Sequence, residues 1–226
     1  MSTDIVYRQV FLAAVKRDGA YLALAPKDLR NDREVVMAAV NQAGHTIKFA
    51  SKVLLEDREV VLAAVARNAD ALYYASAKLQ SDQEIVLEAV KRTGFALLHA
   101  SPDLRSDREI VLASVTRTGY VLKYASDDLR SDRDVVLAAI TSNGCALQYA
   151  SDDLRSDRGV VLAAVNRDGL ALEYASEALR SDREVVLAAI RQNGLSLQYA
   201  SPEMRRDREL VVVALAPKSE LPDVCI

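Results

Sequence analysis

Arginine recurs along this chain at intervals that a polyanion could follow. One series runs through Arg33, Arg58, Arg108, Arg133, Arg158, Arg183 and Arg208, and a second through Arg30, Arg105, Arg130, Arg155, Arg180 and Arg205. Guanidinium groups stacked at a fixed rise can track a phosphate backbone. An aromatic series, Tyr74, Tyr124, Tyr149, Tyr174 and Tyr199 with Phe49 and His99 substituting, could stack bases. Each series also has a structural reading. The arginines neighbour an equally regular series of Asp and the Glu beside it, and the formal net charge is only −3, so ion pairs crossing from one repeat to the next account for them. Phe replaces Tyr without breaking the pattern, which fits a packed ring whose hydroxyl lies near the surface.

The other reactive residues do not converge. His45 and His99 occupy different positions of the repeat, and Cys145 has no Cys or His companion at ligand spacing, whereas a metal site needs three or four convergent ligands. The acidic pairs Asp127-Asp128 and Asp152-Asp153 sit where short helices begin, and there the helix dipole favours acid. A calcium site would need more carboxylates in a loop. The chain carries neither a phosphate-binding loop nor a nucleophile elbow. The expectation is a protein that is not an enzyme, with no catalytic, metal or cofactor-binding residues.

The elements that hold these residues follow from a strict period. Asp stands at 32, 57, 82, 107, 132, 157, 182 and 207, every 25 residues, and Tyr7 takes the equivalent place in a first, degenerate unit. The consensus is D-R-E-V-V-L-A-A-V-x-R-N-G-x-A-L-x-Y-A-S-x-x-L-R-S. In the unit from Asp107, Ser106 with Glu109 reads as a capping box, repeated by Ser81/Glu84 and Ser181/Glu184. Gly159 breaks the box, so the helix beginning near Asp157 should start most weakly. A helix then runs to about Thr118, and Gly119 suits the left-handed residue that ends helices, as do the glycines at 19, 44, 94, 144, 169 and 194, with Ala69 the exception. The two Val, the second Ala and the third Val of VVLAAV share the buried arc.

A second, short helix is expected from Tyr120 to Ala125. One turn begun by Ser126 follows it, supported by Ser101-Pro102 and Ser201-Pro202. The fold class is all-α, an α-solenoid of eight 25-residue helix–turn–short-helix repeats and a ninth half-repeat. It is expected as one continuous domain over residues 1–216, with 1–31 a capping, degenerate repeat, 207–216 a truncated last repeat and 217–226 a tail.

With these residues in place the pattern resembles the repeat of the family catalogued as domain of unknown function 4116 (DUF4116), over about residues 7 to 216. The cap, the glycine, Tyr-Ala-Ser and Leu-Arg all fall at fixed offsets. The resemblance implies no activity and no functional residues. The pattern is also similar, more weakly, to leucine-rich variant repeats, which implies the solenoid shape alone.

Function is then sought where the repeats differ. Two positions of the second helix, three apart, change in every unit: His45/Lys48, Asp70/Tyr73, Phe95/Leu98, Tyr120/Lys123, Cys145/Gln148, Leu170/Glu173 and Leu195/Gln198. Repeat proteins place specificity on such a stripe. The candidate partner-binding residues are Tyr73, Phe95, Leu98, Tyr120, Lys123, Gln148, Leu170, Glu173, Leu195 and Gln198, with Phe95, Leu98 and Tyr120 as an exposed apolar patch. The expected function is a scaffold binding another protein. The alternatives are nucleic-acid binding along the Arg series or a purely structural part of a larger assembly.

The apolar runs are far shorter than the roughly 20 residues that span a bilayer, so no membrane insertion is expected. The opening MSTDIVYRQV lacks the character of a secretory signal. The ending DVCI is no prenylation box. With two cysteines in unrelated contexts, an intracellular, cytoplasmic protein is expected.

Overall fold

The computed structural model describes residues 3–216, and these are helical without a strand. The last residues of the sequence, including the expected tail, lie outside the described residues. The fold class is an α-solenoid. Each repeat has three parts: a ten-residue α-helix such as Arg58–Arg67, a six-residue 3-10 helix such as Ala69–Tyr74, and one closing turn such as Leu79–Ser81. The first helix, Thr3–Arg17, is longer than the others. The described chain divides between Ser114 and Val115 into two compact units, although the 25-residue period runs through that point without an insertion.

The ten-residue helices are too short and too rich in Val to be stable alone. Packing holds them. Val60, Val61, Ala64 and Val65 are fully buried, as are Val160, Val161, Ala164 and Val165 in the second unit, the arc expected from the sequence. The 3-10 helix adds further fully buried residues, Ala71 and Leu72 or Ala171 and Leu172 for example. Main-chain bonds stitch successive repeats within each unit. The Ser76 N–H donates to the Leu55 carbonyl at 3.0 Å, and the Ser176 N–H to the Arg155 carbonyl at 2.9 Å.

Two assignments need correction. The helix N-cap is the repeated Asp, not the Ser before it. Asp57 is extended (φ −78°, ψ 112°), and its Oδ1 accepts from the N–H groups of Glu59 at 3.0 Å and Val60 at 3.1 Å. The serines face backward: the hydroxyls of Ser81, Ser106, Ser131 and Ser181 donate to carbonyls four residues earlier, closing the preceding turn. Both residue types cap well, but only the carboxylate also brings negative charge to the positive end of the helix.

The glycines are not left-handed either, since no described residue has a positive φ. The helix is broken one residue earlier, by extended residues such as Ala43 (φ −148°, ψ 101°). Glycine is needed for close approach: a Cβ on Gly44 would lie 2.2 Å from the Ala64 carbonyl oxygen, and one on Gly144 2.7 Å from that of Ala164.

At Gly159 the contacts of the helix start differ from those of most repeats, and not through a broken capping box. Asp157 still caps Val160 at 2.8 Å, but the Glu found here in most repeats is missing, and Arg133 stands 3.8 Å from Asp157. A Cβ at Gly159 would meet only Arg133 Nη2 and Asp157 Oδ1, both at 3.2 Å. Gly159→Glu is therefore expected to stabilise the protein by about 0.5–1.5 kcal/mol through helix propensity and a new ion pair, read as a higher urea midpoint. An unchanged or lower midpoint would count against this account of the repeat.

Candidate interaction face

The first arginine series is occupied by the protein itself. Most of these arginines fork onto the N-cap Asp of the next repeat and the Glu two residues beyond it, whereas Arg133, facing Gly159, reaches only Asp157. Arg8 Nε lies 2.5 Å from Asp32 and its Nη2 2.7 Å from Glu34. Arg33 Nε lies 2.7 Å from Asp57 and bonds Glu59 as well. Arg58 repeats the fork onto Asp82 and Glu84, and in the second unit Arg158 does so onto Asp182 and Glu184. The Arg8 and Arg33 guanidiniums hold the Asp32 and Asp57 carboxyls below the ordinary value of 3.8. Charge on this face is thus paired, repeat by repeat.

The second arginine series is used in two ways: Arg130 and Arg155 pair with Asp127 and Asp152 on their own turns, while Arg30 caps a 3-10 helix. Arg30 donates from Nε to the Ala25 carbonyl and from Nη2 to the Ala23 carbonyl, both at 2.7 Å. Gln80, at the same place in its repeat, reaches the Leu72 and Tyr73 carbonyls at 3.2 and 3.3 Å. These carbonyls lie at the end of a helix, where main-chain partners run out. Nothing in the sequence marked this role, because the acceptors are main-chain atoms.

The Tyr column is half-buried at Tyr74, Tyr124, Tyr149, Tyr174 and Tyr199. In the first unit the Tyr73 ring stands edge-on to those of Tyr74 and His99 at 5.0 and 5.2 Å, and burial lowers the pKa of His99 although Asp70 opposes it. In the second unit Tyr120 and Tyr149 meet edge-on at 5.2 Å, and Gln148 Nε2 donates to the Tyr120 hydroxyl at 3.3 Å. Burial, with a hydrogen bond to Asp168 at 3.3 Å, pushes the Cys145 thiol up to about 12. That removes it as a thiolate nucleophile at neutral pH.

The variable stripe lies on 3-10 helices, in which residues three apart eclipse one another. Its two positions therefore form one edge in every repeat. Tyr73 is 60% exposed, Phe95 50% and Leu98 45% in the first unit. In the second, Leu195 is 70% exposed, Tyr120, Lys123, Glu173 and Gln198 are exposed, and Gln148 and Leu170 are half-buried. Of the residues expected as an apolar patch, Phe95 and Leu98 are exposed in the first unit and Tyr120 in the second.

Each unit also has an open, polar groove where helix ends meet the starts of the 3-10 helices. The first unit's groove, about 890 Å³, is lined by His45, Arg67, Asn68, Asp70, Arg92 and Phe95 among others. The second unit's, about 570 Å³, is lined by Ser142, Asn143, Arg167, Asp168, Gln192 and Asn193 together with two glycines. In the second unit the side chains of Ser142 and Gln192 accept from the N–H groups of Gly119 and Gly169 at 3.1 and 2.7 Å. Among the described residues no group of three or more His, Cys, Asp or Glu could hold a metal ion. Nor is any helix among them long and apolar enough to cross a membrane.

No curated protein and no solved structure matches the chain. The family model described as Domain of unknown function (DUF4116) matches residues 7–55, 57–105, 107–155, 157–205 and 182–215, so that each of the first four matches spans two of the 25-residue repeats. With its caps, ion-pair forks and glycine contacts recurring through those matched segments, the chain belongs to the DUF4116 family.

Proposed function

We propose that the protein is a non-enzymatic scaffold that binds another protein through the variable stripe. One contrast supports this reading. The residues that repeat are used internally, as core, cap or ion pair, while the side chains that vary line one exposed edge. Exposed Tyr73, Phe95 and Leu98 are the large apolar or aromatic side chains that interfaces favour at their centres. Nucleic-acid binding along the arginines has weaker support, because those of the first series are paired with acids of the next repeat.

Affinity capture from a native extract, with Phe95→Asp/Leu98→Asp beside the wild type, tests the reading. The expected result is a protein partner retained by the wild type and depleted at least about tenfold by the variant, as for loss of a central contact. The same partners on both baits, or nucleic acid released by salt from both, would overturn it.

A further inference from the structure

Lysines of the stripe lie on the aromatic column beside it. Lys48 Nζ is 5.0 Å from the centroid of the Phe49 ring, and Lys123 Nζ is 4.8 Å from that of Tyr124 and 5.8 Å from that of Tyr120. These are cation–π distances. The second unit carries the opposite charge at the same position, once, in Glu173. Glu173 is exposed and forms no ion pair among the described residues. Burial raises the pKa of Tyr174, to about 12, and that of Tyr199, and the negative charge of Glu173 adds to both shifts. The carboxylate thus stands close enough to both phenols to act on them. It has lone pairs to spare, since an ionised carboxylate offers about four acceptor sites.

Apolar surface flanks it. Leu170, half-buried, and Leu195, 70% exposed, hold the neighbouring stripe positions. A long basic side chain has this division, an apolar stem and a charged head. Glu173 and Tyr174 also line an open cavity of about 340 Å³ with Arg155 and Arg180. Arg155 is bonded to Asp152 at 2.5 Å, and neither Arg reaches Glu173.

We propose that the edge formed by Leu170, Glu173, Tyr174, Leu195 and Tyr199 receives a Lys or Arg side chain from a partner protein. The stem lies on the two leucines, and the cationic head meets the Glu173 carboxylate and the Tyr174 ring, as Lys123 meets Tyr124 from within the chain. The proposal rests on the reading of the stripe as a protein-binding edge, and it makes the partner segment basic, in keeping with a net charge of −3.

The test is NMR titration of the ¹⁵N-labelled full chain with a nine-residue Gly-Ser peptide carrying two lysines, and with the same peptide carrying two acetyl-lysines. The lysine peptide is expected to give saturable shifts confined to residues 170–174 and 195–199. Acetylation or Glu173→Gln should weaken binding at least about tenfold, because the charged contact is lost. Tyr174→Phe keeps the ring and should stay within about threefold, whereas Tyr174→Leu removes it and should weaken binding about three- to tenfold. Glu177→Gln makes the same charge change outside the stripe and should bind as the wild type does; unchanged thermal unfolding shows that each variant is folded.

Equal binding of the acetylated peptide, equal weakening by Glu177→Gln, or shifts centred elsewhere would overturn the proposal. The two readings fail separately. A captured partner lost with Phe95→Asp/Leu98→Asp but kept with Glu173→Gln, in the absence of peptide binding, leaves the scaffold standing without this site. Peptide binding at Glu173 with no partner lost from either variant leaves the site standing and overturns the placement of the scaffold face.

Discussion

Leu172→Ala is expected to lower the free energy of unfolding by about 2–5 kcal/mol, the range for deleting a fully buried leucine side chain. Leu172 is fully buried within the 3-10 helix Gly169–Tyr174, which packs against both Arg158–Arg167 and Arg183–Gln192. The cavity cannot easily collapse. Gly169 already lies so close to the Ala189 carbonyl that a Cβ there would be 2.4 Å from it, and the Ser176 N–H is tied to Arg155. A six-residue 3-10 helix has little stability of its own, since runs beyond three or four residues are uncommon. Loss of Leu172 therefore loosens the segment that carries Glu173 and Tyr174. Urea unfolding followed by circular dichroism measures the effect, with Leu195→Ala, 70% exposed, as the comparison expected to stay within about 0.5 kcal/mol. Similar losses from the two variants would show that the core column does not hold the repeats together.

The contrast between these leucines shows what the sequence made legible. The period, the four buried positions of most helices and the cross-repeat pairing of Arg with acid could all be read, because each recurs at a fixed spacing of 25 residues and chance substitutions stand out against it. The stripe was legible for the converse reason: it varies while its neighbours do not. The misread features were those in which two mechanisms leave one signature. Ser-Asp at a helix start offers two good caps one residue apart, and only the extended backbone of Asp57 shows which is used. Glycine after a helix fits a left-handed end or a close approach, and the position of the Ala64 carbonyl beside Gly44 distinguishes them. The role of Arg30 could not be read from side chains, since it answers to the carbonyls of Ala23 and Ala25.

The N-cap assignment carries the second large effect, loss of stability in acid. Asp32 and Asp57 have lowered pKa values, chiefly through hydrogen bonds from Arg8 and Arg33, with backbone N–H groups adding to them. Asp82 and Asp182 are also lowered, although burial, the largest single influence on each, pushes the other way; bonds from Arg58 and Arg158 and from the capped N–H groups prevail. A carboxyl with a lowered pKa in the folded state binds fewer protons than in the unfolded chain, so stability rises with pH between the two values. The contribution is complete above the ordinary Asp value of 3.8 and is lost as pH falls through the lowered folded values. The melting temperature should thus be flat from about pH 7 to 5 and fall steeply below about pH 4, because Asp32, Asp57, Asp82 and Asp182 are lost as caps in the same window. Asp57→Ala should cost about 0.5–2 kcal/mol at neutral pH, and Asp57→Asn less, because Asn caps nearly as well as Asp. The double variant Asp57→Asn/Asp182→Asn should flatten the acid slope. High salt should change little at the caps while weakening the exposed Arg–Glu contacts. A melting temperature unchanged between pH 6 and 3, or an acid slope unaffected in the double variant, would mean that the aspartates do not hold the helix starts.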